Sequence, residues 1–220
     1  MTDTAPASPA SPASPSPTCA DPFEVPVTDE DVAAVAPYRR VRIDGDACIA
    51  PSASIVGDAE IGPDVTVLFH ASIRGDYESH IVIGAGSNVQ EGCSLHVDKG
   101  SSLVVGRRVI IGHNATVHGC TVRDGALIGM GATIMNDAVI GEDAVIGAGA
   151  LVTERKQVPP RAVMVGVPAK CVRTLTDAEV EKNRTDGRYY IALGRALVRD
   201  GVLYKGSDLP HDLPEITLAE

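Results

Sequence analysis

The sequence predicts an all-β chain wound into a parallel β-helix and followed by one C-terminal α-helix. Three observations carry that prediction. An aliphatic residue recurs at every sixth position over most of Ile49 to Val158, a small residue usually stands two places before it, and the stretch after Thr176 changes to helical patterning. Six is neither a helical nor a strand period, so each unit has to be a short strand ending in a turn that repeats. Three units close one triangular coil, with the aliphatic residues pointing inward and successive coils pairing about 4.8 Å apart.

In chain order, residues 1–20 are almost wholly Ala, Ser, Pro and Thr, too little apolar surface to offset the entropy of ordering, and are expected to form a disordered tail. Residues 21–48 form a lead-in segment whose TDEDVAAV piece predicts a short helix, with Thr28 as its cap and Glu30 and Asp31 at the positive end of its dipole. The β-helix is expected over 49–170. Its inward positions are Ile49, Ile55, Ile61, Val67 and Ile73, then Ile83, Val89 and Leu95, then Val105, Ile111 and Val117. After one five-residue step come Val122, Ile128, Ile134, Ile140, Ile146, Val152 and Val158. Pro159 and Pro160 are expected to stop regular pairing, with Met164 as a last inward position. The helix is expected over 171–200, with Thr176 and Glu179 as a capping box, covering the prism or its last open edge. Residues 201–220 read as a loose tail.

Composition narrows the function. The 220 residues carry a formal net charge of −10, are 3% aromatic and contain no Trp, so the core has to be built from Ile, Val, Leu and Ala. No Lys/Arg cluster offers itself to phosphates, which argues against nucleic acid or an anionic membrane as partner. With no membrane-length apolar run and no basic-then-apolar leader, the expected setting is the cytoplasm. Cys19, Cys48, Cys93, Cys120 and Cys171 are odd in number and widely spaced, and read as small buried residues that stay reduced.

The chemistry lies between Leu95 and His118, which holds three of the six histidines. Ile73, Leu95 and Val117 fall on one edge of the prism, one coil apart each time, so the residues after them, Arg74, His96 and His118, stack. The 22-residue gap between the histidines is one coil plus a four-residue bulge over 98–101. Stacked imidazoles about 5 Å apart suit two ligands of one metal. His113 follows Ile111 on another edge, which six extended residues put roughly 20 Å away. To join the others it must come from a neighbouring subunit, and such a heterologous contact closes most simply as a homotrimer. Three neutral imidazoles with an open position form a catalytic zinc arrangement, and iron(II) or cobalt suits the same donors. His70, His80 and His211 have no partner at metal spacing and read as ordinary polar residues.

With those residues placed, the chain resembles the γ-class carbonic anhydrases. The resemblance rests on ASIRGD (71–76), NVQEGCSLH (88–96), IGHNATVHGC (111–120), LIGMGATI (127–134), IGAGALV (146–152) and VGVPAK (165–170). It implies a left-handed β-helix, a homotrimer and a zinc site whose bound hydroxide attacks carbon dioxide to give bicarbonate. His96, His113 and His118 match the family's metal ligands, Arg74 and Asp76 its interface ion pair, and Gln90 the amide that holds the metal-bound water. Asn88 matches a nearby Asn, and Tyr190, with Tyr189 as alternative, matches a helix tyrosine facing the site. The family prototype's acidic loop with a proton-shuttling glutamate is missing, and Asp98 is the nearest replacement. Alternatives to carbonic anhydrase activity are a metal-dependent acyl-CoA thioesterase on the same site, a hexapeptide acyltransferase, and a non-enzymatic trimeric scaffold.

Overall fold

The computed structural model describes residues 41–209. The expected N-terminal tail, the short helix after Thr28, Cys19 and His211 lie outside the described residues. Within them the chain forms a left-handed β-helix of about seven turns with one long helix. Each coil contributes one short strand to each of three parallel faces.

The first face stacks strands from Arg42–Ile43 to Gln157–Val158, and the second runs from Cys48–Ile49 to Ala162–Val165. The third holds Ser54–Gly57, Ser72–Gly75, Ser94–His96, Thr116–His118, Thr133–Ile134 and Leu151–Val152. Ile73 pairs with Leu95, Leu95 with Val117 and Val117 with Ile134, the register that counting by sixes predicts. Both the aliphatic residue and the small one two places before it point inward: Ile128 and Ala126, like Ile134 and Ala132, are fully buried. A strand's period of two explains that pairing, and the alanines let the corners stay narrow. The five-residue step before Val122 keeps register, since Val105 pairs with Val122.

Four boundaries differ from the sequence expectation. The repeat starts one unit before Ile49, because Ile43 pairs with Ile61, so the lead-in ends inside the first coil. Pro159 and Pro160 sit in an ordinary turn, and pairing continues through Ala162–Val165 beside Val145–Ile146, with Met164 buried as the last inward residue. A turn needs no N–H from either proline. Residues 170–174 fold back as an antiparallel strand on Ala162–Val165, so the helix, α1, begins only at Asp177 and ends at Arg199. Finally, 201–209 is not loose: Tyr204–Lys205 pairs antiparallel with Cys48–Ile49. The two reversals cover both ends of the second face, which would otherwise offer unpaired edges.

α1 lies along the outside of the second face, against the strands Cys48–Ile49, Thr66–Val67 and Asn88–Val89. Its start is the capping box read from the sequence: Thr176 accepts from the Glu179 N–H, and Glu179 accepts from the Thr176 N–H at 2.9 Å. Thr176→Ala is expected to lower stability by about 1 kcal/mol, read in urea denaturation. Hydrogen bonds from Arg173 and from Thr176 hold the Glu179 carboxyl down to about 2 from 4.5. A depressed carboxyl stabilises the fold above its ordinary pKa, and that contribution fades as pH falls from 4.5 through about 2. Glu179→Gln is therefore expected to flatten the melting temperature across that window. Among the described residues no helix is long and apolar enough to cross a membrane.

Candidate metal centre

Two inserted loops build one corner of the prism, between the third face and the first. Residues 76–80 and 98–101 stack there: the Ser79 hydroxyl donates to the Asp98 carbonyl at 2.8 Å, and the Gly100 N–H donates to Ser79 Oγ at 3.2 Å. They leave register intact, so Arg74, His96 and His118 stand side by side. The imidazoles of His96 and His118 meet edge to face with centroids 4.8 Å apart, as the spacing predicts. Tyr77, in the left-handed region with φ 54°, sets its ring edge-on to His96 at 6.2 Å.

The hydrogen bonds behind these rings decide which nitrogen faces forward. His96 Nε2 lies 2.8 Å from Asp76 Oδ1, and a carboxylate accepts only, so Nε2 carries the proton. Asp76 is buried, and its other oxygen takes the Arg74 guanidinium of the same chain. His118 Nδ1 lies 2.5 Å from Asn136 Oδ1, and the Asn136 amide is turned that way because its Nδ2 donates to Asp98 Oδ2 at 3.3 Å. What remain are the lone pairs of His96 Nδ1 and His118 Nε2, 2.9 Å apart. Two lone pairs turned on each other at that distance repel unless both share a cation, a proton or a metal bound to the two nitrogens from the side, so the donor set fits a metal. Burial holds the His96 imidazole below its ordinary pKa, against the pull of Asp76, which favours the neutral form a metal needs.

The other half of the predicted constellation sits on the opposite edge of the third face. His113 occupies the turn between Ile110–Ile111 and Thr116–His118, and its Nδ1 lies 2.6 Å from Glu91 Oε2, off the line of a hydrogen bond. Next to Glu91, Gln90 is buried and donates from Nε2 to Asn88 Oδ1 at 3.1 Å. Buried Asn88 Nδ2 has no partner among the described residues. Desolvation chiefly pushes the Tyr190 phenol up, with nearby Gln90 pulling the other way; Tyr189 is 63% exposed, so Tyr190 is the helix tyrosine on this side.

One chain thus brings together His96, His118, Arg74 and Asp76, and separately His113, Gln90, Asn88 and Tyr190. Among the described residues no three ligand-type side chains of one chain are placed to hold a single metal ion. Asp98 stands behind Asn136, its Oδ1 accepting from the Lys99 N–H at 2.8 Å, so both its oxygens are engaged. Burial pushes the Cys93 thiol up to about 11 and the Cys120 thiol to about 12, so neither offers a thiolate; Cys171, expected buried, is exposed on the terminal hairpin. Sequence reasoning missed Asn136, Glu91 and Tyr77. Glu91 and Tyr77 directly follow Gln90 and Asp76, whereas Asn136 is one residue past the position in register with His118 and carried no signal.

This fold and site define a hexapeptide-repeat β-helix protein with imidazole donors on its edges. The bacterial transferase hexapeptide family (six repeats) matches residues 119–154. Among curated proteins, the "probable carbonic anhydrase" of Methanocaldococcus jannaschii is 45% identical over 149 residues, covering 68% of this chain and 93% of that one. Gamma carbonic anhydrase 2, mitochondrial, of Arabidopsis thaliana is 38% identical over 159 residues, covering 70% of this chain and 57% of that one. A solved hexapeptide transferase family protein of Anaplasma phagocytophilum superposes with TM-score 0.68 at 35% identity, covering 71% of this chain and 92% of that one. The chain belongs to the γ-class carbonic anhydrase family.

Proposed function

We propose that the protein is a carbonic-anhydrase-like metalloenzyme that hydrates carbon dioxide to bicarbonate, working as a homotrimer in the cytoplasm. The observation that carries this reading is the division of the imidazoles: a paired set on one edge of the third face, a single one on the other, each with an oxygen behind one nitrogen. A ring of three chains that sets unlike edges together completes the set at every interface. His96 and His118 of one subunit and His113 of its neighbour would hold the metal, for which zinc is the first choice and iron(II) and cobalt suit the same donors. When bound, such a metal acidifies a water and so supplies a nucleophile at neutral pH.

The chain's own groups do the rest. Gln90 gives an amide proton to Asn88, and its carbonyl oxygen can accept the nucleophile's proton and turn a lone pair towards the substrate carbon. Unpartnered Asn88 Nδ2 is a donor free for a substrate oxygen, where negative charge develops. Arg74 balances the Asp76 charge, so that Asp76 orients His96 without adding a net anion to the corner. The released proton passes to solvent water.

The test is the purified protein loaded with zinc, assayed for metal content, mass in solution and carbon dioxide hydration. The expected result is a trimer with one metal per chain and hydration that a chelator abolishes and zinc restores. Hydrolysis of a CoA thioester by the loaded protein without hydration would replace the substrate and keep the site. Metal-independent consumption of acetyl-CoA would move the chain to the acyltransferases, and a trimer inert in all three assays would be a scaffold.

A further inference from the structure

We propose that Asp98 and Asn136 form a hydrogen-bond chain that fixes the tautomer of His118, making both positioning residues for the metal-facing nitrogen. The inference rests on the metal-site reading above and assigns to Asp98 work other than proton transfer. An amide can offer His118 either its oxygen or its NH2, and the two ends have opposite consequences. With Oδ1 forward, Nδ1 of His118 keeps its proton and Nε2 is free; with Nδ2 forward, Nδ1 must accept, and the proton moves to the nitrogen that a metal needs. His118 alone therefore cannot choose.

Asp98 makes the choice, because its carboxylate accepts only. Its Oδ2 takes the Asn136 Nδ2 proton at 3.3 Å, which turns Asn136 Oδ1 to His118 at 2.5 Å. Asp98 is in turn held by the Lys99 N–H on Oδ1 and by Ser79 on its carbonyl, and the bulge is tied upward by Ser101 Oγ donating to Asp137 Oδ1 at 2.9 Å. Gly119 is part of the same fit: with φ +46°, a Cβ there would stand 2.7 Å from Asn136 Oδ1 and 3.0 Å from Ser101 Cβ. The four-residue bulge therefore does more than keep register. It supplies the carboxylate that orients a ligand one coil above it.

The experiment reads tautomer and metal affinity separately. In the metal-free wild type with labelled imidazoles, nitrogen NMR is expected to show His118 protonated at Nδ1; protonation at Nε2 alone would overturn the proposal, whether or not the protein binds metal. Zinc affinity by chelator competition is then compared across Asn136→Leu, Asn136→Asp and Asp98→Ala, with the metal-free melting temperature recorded for each. Asn136→Leu is expected to weaken zinc about 10- to 100-fold, Asn136→Asp, which keeps the acceptor, to stay within a few-fold, and Asp98→Ala to fall between them. Should Asn136→Leu fail to fold, the Asp98→Ala and Asn136→Asp pair still decides the matter. Equal affinity in wild type, Asp98→Ala and any folded Asn136→Leu refutes the chain. A wild type that binds no zinc refutes the metal reading instead.

Discussion

His113→Ala is expected to strip nearly all bound metal and all hydration from the protein, and His118→Ala to do the same. Made together in one cell, the two variants are expected to recover part of both. In a ring, each site takes His113 from one chain and His96 with His118 from the next, so a mixed trimer holds one intact site in about three, while either variant alone holds none. Metal content and hydration of the co-expressed material, purified through distinct tags on the two chains, measure this. Undiminished metal in His113→Ala would place all ligands in one chain, against the opposite-edge geometry of His113 and the His96–His118 pair. No recovery in verified mixed trimers would mean that the edges meet in some other way.

The second large effect is expected in the coil stacking. Gly129 follows the inward Ile128, and its N–H donates to the Ile146 carbonyl of the next coil at 2.7 Å. A Cβ at that position would lie 2.5 Å from Ala148 N and 2.7 Å from Gly147 C and Ile146 O, all of them backbone. Backbone held in a ladder cannot swing aside as a side chain can, so Gly129→Ala is expected to cost about 3 kcal/mol, the upper end of overpacking. Two residues on, Gly131 has φ +64° but nothing within 4 Å, so Gly131→Ala should lose only about 1 kcal/mol to its left-handed backbone. Urea denaturation of the two variants checks the order. A larger loss at Gly131 would show that turn conformation, and not the approach of neighbouring coils, is what the small residue after each aliphatic one serves.

Much of this was legible because a hexapeptide repeat converts distance along the chain into angle around an axis. Counting by sixes identified the inward residues from Ile61 to Met164 and put His96 above Arg74 and below His118. It also put His113 on another edge. Ile43 stands six before Ile49 but between Arg42 and Asp44, so the repeat is harder to see there. Pro159 and Pro160 do not end the pairing, since a residue that breaks a strand is at home in the turn of such a short unit.

The repeat by itself determined the prism, its register and the edge to which each histidine belongs, because these depend only on local periodicity and the count between positions. Tertiary structure alone decided the rest. That Tyr204–Lys205 returns to pair with Cys48–Ile49 is a contact between distant segments with no periodic signal. That Asn136, and not Met135 in register, orients His118 follows from side-chain reach across a coil and from the carboxylate of Asp98 behind it. Which nitrogen of an imidazole is free is set by the group behind the ring, and no spacing rule along the chain encodes a hydrogen bond's direction.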